Sequence, residues 1–420
     1  MATGLPKTRW NGVIKKLPND KGINFELCWK NTGLAPRNRL FYGDNLKVLR
    51  LLNEDKSIRG KVKLIYIDPP YSTNSIYQTR DSSNGYIDLL KGKRYLSFIK
   101  QRLTLLHSIL SDNGSIYIHL DDNMAFNVKV LMDEIFGVNN FRNFIVRQKC
   151  RSKNFTKNSY GNIADYILFY TKTSKSTWHK IYEEWTKEKL LKEYSFIDEK
   201  TGRRYKRVPI HAPGTRNGET GKPWRGMTPP HGKHWQYIPS KLEQLNLAGD
   251  IYWSKNGNPR RKVYLDESKG LSVQDIWFNF IDSTNQNTKI TGYPTEKNIE
   301  LLKRIIKASS DEGDYVLDCF AGSGTTLVAA SELNRKWIGV DNESKAIETI
   351  LSRFANGTAR MGDYVKNKIP KQELPSLTKE EFISDFSLYS DSRNSSDLSK
   401  GLDQWNKWLT LQHTNKLVDN

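Results

Sequence analysis

The chain has 420 residues, 37% of them hydrophobic, and a mean hydropathy of −0.67. Its length allows two or three domains with real cores, and no apolar run approaches the roughly 18 residues that a membrane span needs. A formal net charge of +20 points to a polyanionic partner, and three widely spaced cysteines (Cys28, Cys150, Cys319) fit no disulfide or metal framework and read as a reducing cytoplasm.

Residues 1–35 carry Gly, Pro and Asn and read as an N-terminal arm; "MATGLPKTRW" lacks the apolar core of a signal peptide. From 36 to 145, short apolar runs alternate with helical patterns. "LIYID" (64–68) reads as a strand, "YLSFIKQRLTLLHSILSDNG" (95–114) as an amphipathic helix with a glycine stop, and "SIYIHL" (115–120) as another strand. "NVKVLMDEIFG" (127–137) is a second glycine-terminated helix, and "DYILFY" (165–170) fits one more strand. Between 146 and 284 this rhythm gives way to scattered Gly, Pro, Asn and charge. Arg142 to Gly270 holds 27 Lys/Arg against 12 Asp/Glu, with Trp178, Trp185, Trp224, Trp235 and Trp253 interspersed. A basic region rich in aromatics fits phosphate-backbone contact, so 146–284 reads as an inserted target-recognition region. From 285 to 365 the rhythm returns, with helix "NIELLKRIIKAS" (298–309), strand "YVLDC" (315–319), a helix from Thr325 and strand "WIGVD" (337–341). Residues 366–420, with the Ser/Asp-rich "SDSRNSSDLSKG", read as a linker and a small helical extension. Strands alternating with helices predict an α/β fold with a mostly parallel sheet.

"YVLDCFAGSGTTLVAASELNRKWIGVD" is a strand, a glycine turn, a helix and a second strand ending in an acid. Gly322 and Gly324 let the backbone approach a ligand where a side chain would clash. Asp341 follows Gly322 by 19 residues, near the roughly 20-residue spacing at which an acid meets ribose hydroxyls. No Lys follows the turn, so it is no P-loop, and Leu327 breaks the full dinucleotide fingerprint. An adenosyl ligand without phosphates fits better, and S-adenosyl-L-methionine is the common one.

"LIYIDPPYST" (64–73) is a core strand that ends on an acid, two prolines and a tyrosine. Pro69 and Pro70 stop the ladder and fix the direction of the exit. An exocyclic base amine is a poor nucleophile because its lone pair is delocalised into the ring. Acceptors on both N–H bonds pyramidalise the nitrogen, and Asp68 and the Pro69 carbonyl can supply them with little reorganisation. Tyr71 can stack on a base drawn out of its duplex. The stretch therefore reads as an amine clamp.

DPPY (68–71) together with "DCFAGSGT" (318–325) resembles the DNA amino-methyltransferases. The order, clamp first and donor turn last, resembles their permuted β class, which includes type III restriction-modification methylases. "FYGDNLKVL", "GSIYIHLDDN", "LMDEIFG", "YLDE", "DIW", "GYPTEKN" and "RIIKASS" look like further family segments, so the likeness covers roughly 36–360. It implies a Rossmann-like methyltransferase fold with a seven-stranded, mostly parallel sheet, a circularly permuted motif order and an inserted recognition domain. It implies that Asp68, Pro69, Pro70 and Tyr71 form the target-amine site. The donor would lie against Asp68, Asp318, Phe320, Gly322, Gly324 and Thr325, with Asp341 on its ribose and Asp44 near its adenine. Thr295 and Lys297 resemble the pair that holds the donor's carboxylate. Double-stranded DNA, a second copy of the chain and a separate restriction subunit are the partners implied, in the nucleoid-associated cytoplasm of a prokaryotic or phage-host cell. The family usually reads Gln and Pro where Glu296 and Asn298 stand, Asn-Thr-Gly where "STN" (72–74) stands, and Pro in place of Cys319. Glu296 is close enough in sequence to compete for the charge of Lys297.

Cytosine-C5 methylation needs a cysteine nucleophile, usually after proline; here the cysteines follow Leu27, Lys149 and Asp318. N4-cytosine enzymes typically carry Ser where Asp68 stands, which favours adenine N6. A silent DNA-binding regulator on the same scaffold is disfavoured by the intact Asp68 and Tyr71. His231 and His234 form no metal pattern, and no metal is expected.

Overall fold

The computed structural model describes residues 25–30, 37–70, 76–78, 84–87, 92–152, 158–282, 289–293, 296–360, 383–391, 398–399 and 401–408. Two compact units result: Lys180–Val273 forms one, and the chain on either side of it forms the other.

The larger unit is built on one sheet. Its strands are β1 (Phe25–Lys30), β2 (Asn38–Tyr42), β3 (Val62–Ile67), β4 (Leu110–Leu120), β5 (Phe141–Gln148), β6 (Ala164–Thr171), β7 (Ile276–Trp277), β8 (Tyr315–Asp318), β9 (Lys336–Asp341) and β10 (Phe386–Asp391). They lie in the order β1-β10-β2-β9-β8-β3-β4-β6-β5-β7. From β10 to β4 every pair is parallel. Strand β6 runs antiparallel to both β4 and β5.

The run β2 to β5 in that order contains the seven expected strands, and three more extend it. β10 and β1 continue one edge, and the two-residue β7 continues the other. Residues 25–30 are thus a strand rather than part of an arm, and 386–391 is a strand rather than part of a linker. Their short sequences hide this, because the burial comes from aromatic partners far along the chain. Trp29 and Trp405 pack on Phe386 with ring centroids 4.7 and 5.5 Å apart.

Strand β3 is buried on both faces, as a strand inside a parallel sheet must be. Ile65, Ile67, Ile116 and Ile118 pack against α1 (Asn45–Glu54), α2 (Gly92–Ile109) and α3 (Ala125–Phe136). Tyr66, Tyr117 and His119 alternate to the opposite face. There Tyr117 Oη meets Ser309 Oγ of α4 (Ile299–Ser309) at 2.8 Å. Helices α5 (Thr325–Glu332) and α6 (Ser344–Asn356) complete the unit. Helix α2 ends five residues before the expected glycine stop at Gly114. Gly114 instead sits inside β4 at a register shift, where a Cβ would meet Leu110 Cδ1 at 2.7 Å. Among the described residues no helix is long and apolar enough to cross a membrane.

The smaller unit holds a four-stranded antiparallel sheet ordered Phe196–Ile197, Arg204–Pro209, Pro259–Tyr264, Ile251–Trp253. Its core comprises Ile210, Trp224, Trp235, Leu242 and Ile251. Two of the interspersed tryptophans therefore fill a core rather than offer a surface. The unit is also shorter than the region expected from 146 to 284, because β5, β6 and β7 belong to the large sheet. It carries 19 Lys/Arg against 11 Asp/Glu, a net of +8. Composition placed that boundary too early because Arg142–His179 is basic as well.

Candidate active site

The parallel strands end side by side, and residues just past β2, β3, β8 and β9 surround a cavity of about 260 Å3. Asp44, Asp68, Pro70, Lys297, Asp318, Phe320, Gly322, Thr325 and Asp341 all line it, nine of the residues singled out from the sequence. Pro69 is buried and is not part of the lining, and neither is Gly324. Tyr71 and Thr295 lie outside the described residues.

Asp68 is set by β3: the strand pairs with β4 through Ile67, and the two prolines prevent further pairing. Lys297 Nζ lies 2.9 Å from Asp68 Oδ2, and both side chains are largely buried. The acid expected to hold an amine and the cation expected to hold a carboxylate are thus neighbours. Glu296 does not compete for that cation. Its Oε2 accepts from the Thr291 amide and hydroxyl at 2.7 and 2.6 Å, and its Oε1 accepts from Arg353 Nη1 at 3.0 Å.

The glycine turn is held by two acids, Asp318 buried and Asp341 half-buried. Asp318 Oδ1 accepts from the Phe320 amide at 3.0 Å, and its Oδ2 accepts from the Thr326 hydroxyl at 2.6 Å. Asp341 Oδ2 accepts from the Gly322 amide at 2.8 Å, and its Oδ1 from the Glu343 amide at 3.0 Å. Burial pushes Asp318 up to about 7, with Asp68 and Asp341 adding repulsion that its two donors only partly offset. Burial likewise pushes Asp341 up to about 6 against the pull of its amide donors. Two carboxylates held this far from water are costly unless something cationic or hydrogen-donating completes the cavity. An adenosyl sulfonium donor fits both needs, with ribose hydroxyls for Asp341 and a cationic centre for the acids. Gly322 and Gly324 have φ of +51° and +75°, in the left-handed region. At Gly324 a Cβ would also meet Ile350 Cγ1 at 2.9 Å, so this glycine serves the tight packing of α5 on α6.

Several lining residues escaped sequence reasoning. Arg102 donates through Nε to Asn45 Oδ1 at 2.6 Å, and Asn45 donates on to the Cys319 carbonyl at 2.7 Å. Its guanidinium also stacks 3.5 Å from the Phe98 ring centroid and lies 3.8 Å from Asp44 Oδ2. Asp44 itself caps α1, accepting from the Leu46 and Lys47 amides. The available signal was a charge on an apolar stripe, since Tyr95, Ile99, Arg102 and Leu106 share one buried helix face.

Arg353 ties the segment bearing Lys297 to the glycine turn. Besides Glu296 it reaches the Thr325 hydroxyl at 2.8 Å. Both partners of the ion pair are buried, at 5% and 9% side-chain exposure. Arg353→Met, which strands Glu296, is expected to cost about 3–5 kcal/mol in urea unfolding. The double change Arg353→Met with Glu296→Leu should recover most of that loss. A single change that costs nothing would show the strut to be idle.

Beneath Asp68, on the same face of β3, Tyr66 Oη lies 2.9 Å from His119 Nδ1. His119 Nε2 lies 3.2 Å from Asp165 Oδ2. Asp165 also receives Arg147 Nη1 at 3.2 Å and Lys149 Nζ at 3.0 Å. Among the described residues no cluster of three or more His, Cys, Asp or Glu could hold a metal ion. His234 is buried, with Nδ1 2.6 Å from the Gly214 carbonyl, while His231 is exposed.

Comparison with known proteins gives the family of the chain. Residues 62–352 match the DNA methylase family. The type II methyltransferase M.EcaI of Enterobacter cloacae is 48% identical over 374 residues, covering 87% of this chain and 81% of that protein. The StyLTI Mod subunit, of a type III restriction-modification enzyme from Salmonella typhimurium, is 31% identical over 336 residues. That match covers 71% of this chain but spans only 50% of the Mod subunit. The type II methyltransferase M.KpnI of Klebsiella pneumoniae is 28% identical over 398 residues, covering 85% and 94% of the two chains.

Proposed function

This chain belongs to the DNA methylase family, and we propose that its cavity methylates the N6 amine of an adenine flipped out of duplex DNA. It is a DNA methyltransferase of a restriction-modification system, and S-adenosyl-L-methionine is its methyl donor. The observation that carries the proposal is the convergence of Asp68 with Asp318, the glycine turn and Asp341 on one cavity. When bound, the donor supplies an electrophilic methyl group on a cationic sulfur.

The chain's own residues do the rest. Asp341 accepts the donor's ribose hydroxyls, and Asp44 with Arg102 and Phe98 borders its adenine. Lys297 has three N–H donors, enough to serve Asp68 and a carboxylate together, and Thr295 assists it. Asp68 and the Pro69 carbonyl accept the two N–H bonds of the target amine, so the nitrogen lone pair leaves conjugation and points at the methyl group. Pro70 stiffens the clamp, and Tyr71 stacks on the flipped base. Asp68, rather than serine, favours adenine over cytosine.

The basic unit 180–273 carries target recognition, with most Lys and Arg residues on phosphates and a few on base edges. The enzyme works as a homodimer, for which the exposed Phe126 and Val130 on α3 offer an apolar face, and pairs with a separate restriction subunit. Light scattering of the purified protein should give twice the chain mass. Single-molecule sequencing of DNA from an expressing host tests target and chemistry together. N6-methyladenine at one short motif, absent in an Asp68→Ala host, is the expected result. N4-methylcytosine at the motif would overturn the base assignment, and an unmodified genome would overturn the function.

A further inference from the structure

Methylating an amine leaves it with one proton too many, and this cavity must provide somewhere for that proton to go. Asp68 is poorly suited, because its carboxylate is already ion-paired with Lys297 at 2.9 Å and is holding the amine. The next acceptor along the same strand face is Tyr66, which lines the cavity and is 2% exposed.

Its hydrogen bonds decide which way its own proton points. Burial pushes the Asp165 carboxyl up, but the hydrogen bond from His119 and the charges of Lys297 and Lys149 hold it well below the usual carboxylate range. Asp165 is therefore an anion that can only accept, so His119 Nε2 must carry a hydrogen. Burial, then the charge of Lys297, holds the imidazole below its usual value, so it is neutral. A neutral ring protonated at Nε2 has a bare Nδ1, and this atom faces Tyr66 Oη at 2.9 Å. The Tyr66 hydrogen thus points at His119, and its oxygen meets the cavity only with lone pairs.

We propose that Tyr66 accepts the surplus proton of the target amine and relays it to His119, with Asp165 holding the ring in the required tautomer. This rests on the methyl-transfer reading of the cavity. As the amine nitrogen bonds the methyl carbon, the donor's methyl–sulfur bond breaks to leave a neutral thioether. The N–H held by Asp68 swings to Tyr66 Oη and gives up its hydrogen there, while the Tyr66 hydrogen passes to His119 Nδ1. The amine leaves neutral, the phenol stays neutral, and His119 becomes an imidazolium beside the Asp165 anion. Reset runs the other way: His119 returns its hydrogen to Tyr66 as the Tyr66 hydrogen passes to water in the emptied cavity. A weak base suffices here, because deprotonating a methylated exocyclic amine restores its conjugation with the ring. His119 and Asp165 are positioning residues; Tyr66 is the group that meets substrate.

Tyr66→Phe keeps the ring and removes only the acceptor. Single-turnover transfer of labelled methyl to unmethylated DNA should fall roughly 10²-fold, with donor and DNA affinities within about twofold of wild type. Transfer at the wild-type rate would overturn the relay while leaving the clamp standing. A wild-type enzyme that transfers no methyl group would remove the function itself, and the relay with it. Independently of any variant, nitrogen NMR of histidine-labelled wild-type protein should show His119 protonated at Nε2 and bare at Nδ1. The opposite tautomer would refute the proposal even if Tyr66→Phe failed to fold.

Discussion

Asp68→Ala is expected to abolish methyl transfer while the protein still binds DNA. Removing one preorganised acceptor aimed at a charge that develops in the transition state costs about 10²–10³ in rate. Here the loss compounds, since the same carboxylate holds Lys297 at 2.9 Å and alanine leaves that ammonium without its anion inside the cavity. Transfer of tritiated methyl should therefore fall at least ~10³-fold, to background in a standard assay. A gel-shift titration should change little, because DNA affinity comes mostly from phosphate contacts made by the basic surface. Asp68→Asn separates the two roles: it keeps one carbonyl acceptor for the amine but loses the ion pair, and should retain a trace of activity above the alanine variant. Turnover in Asp68→Ala at even a tenth of wild type would refute the clamp.

The parts of this site legible in sequence are those whose signal is local. Asp68 stands at the end of an unbroken apolar run and before two prolines, and Asp341 ends a strand at a fixed distance from a glycine turn. Both positions follow from strand ends, which a pattern of apolar residues reveals. The supports were not legible, because each depends on a pairing across the sheet or between distant segments. Tyr66 meets His119 only because β3 and β4 are parallel and in the register that places Ile67 beside Ile118. Arg353 meets Glu296 across 57 residues, and Asn45 meets Cys319 across 274. The competition first expected between Glu296 and Lys297 shows the same limit. Adjacency in sequence put their charges together, whereas the fold turns one toward α6 and the other toward Asp68. Edge strand β1 and its neighbour β10 were missed for a similar reason: nothing within either segment marks the other as its partner.

Asp341 should show how a ligand site is stabilised by its ligand. Burial raises its folded pKa to about 6, above the ordinary 3.8, so folding of the ligand-free protein favours the protonated acid. That contribution is fully present below about pH 4 and is lost as pH rises through about 6. The ligand-free enzyme should therefore melt at a lower temperature at pH 8 than at pH 5.5, and Asp341→Asn should narrow that gap by removing the charge. Donor binding has the opposite sign, because ribose hydroxyls donate to the anion. Wild-type affinity should fall as pH drops below about 6, and the asparagine variant should lose that dependence. At pH 8 each hydroxyl bond to a charged carboxylate is worth about 1.5–3 kcal/mol, so Asp341→Ala should weaken the donor roughly 10- to 150-fold. Calorimetric titration with S-adenosyl-L-methionine measures this directly. The same substitution should leave the single-turnover rate at saturating donor within a few-fold of wild type, since Asp341 holds the ribose rather than the reacting amine. An unchanged donor affinity would remove Asp341 from the site, and a collapse of the saturated rate would move it from binding into the chemistry.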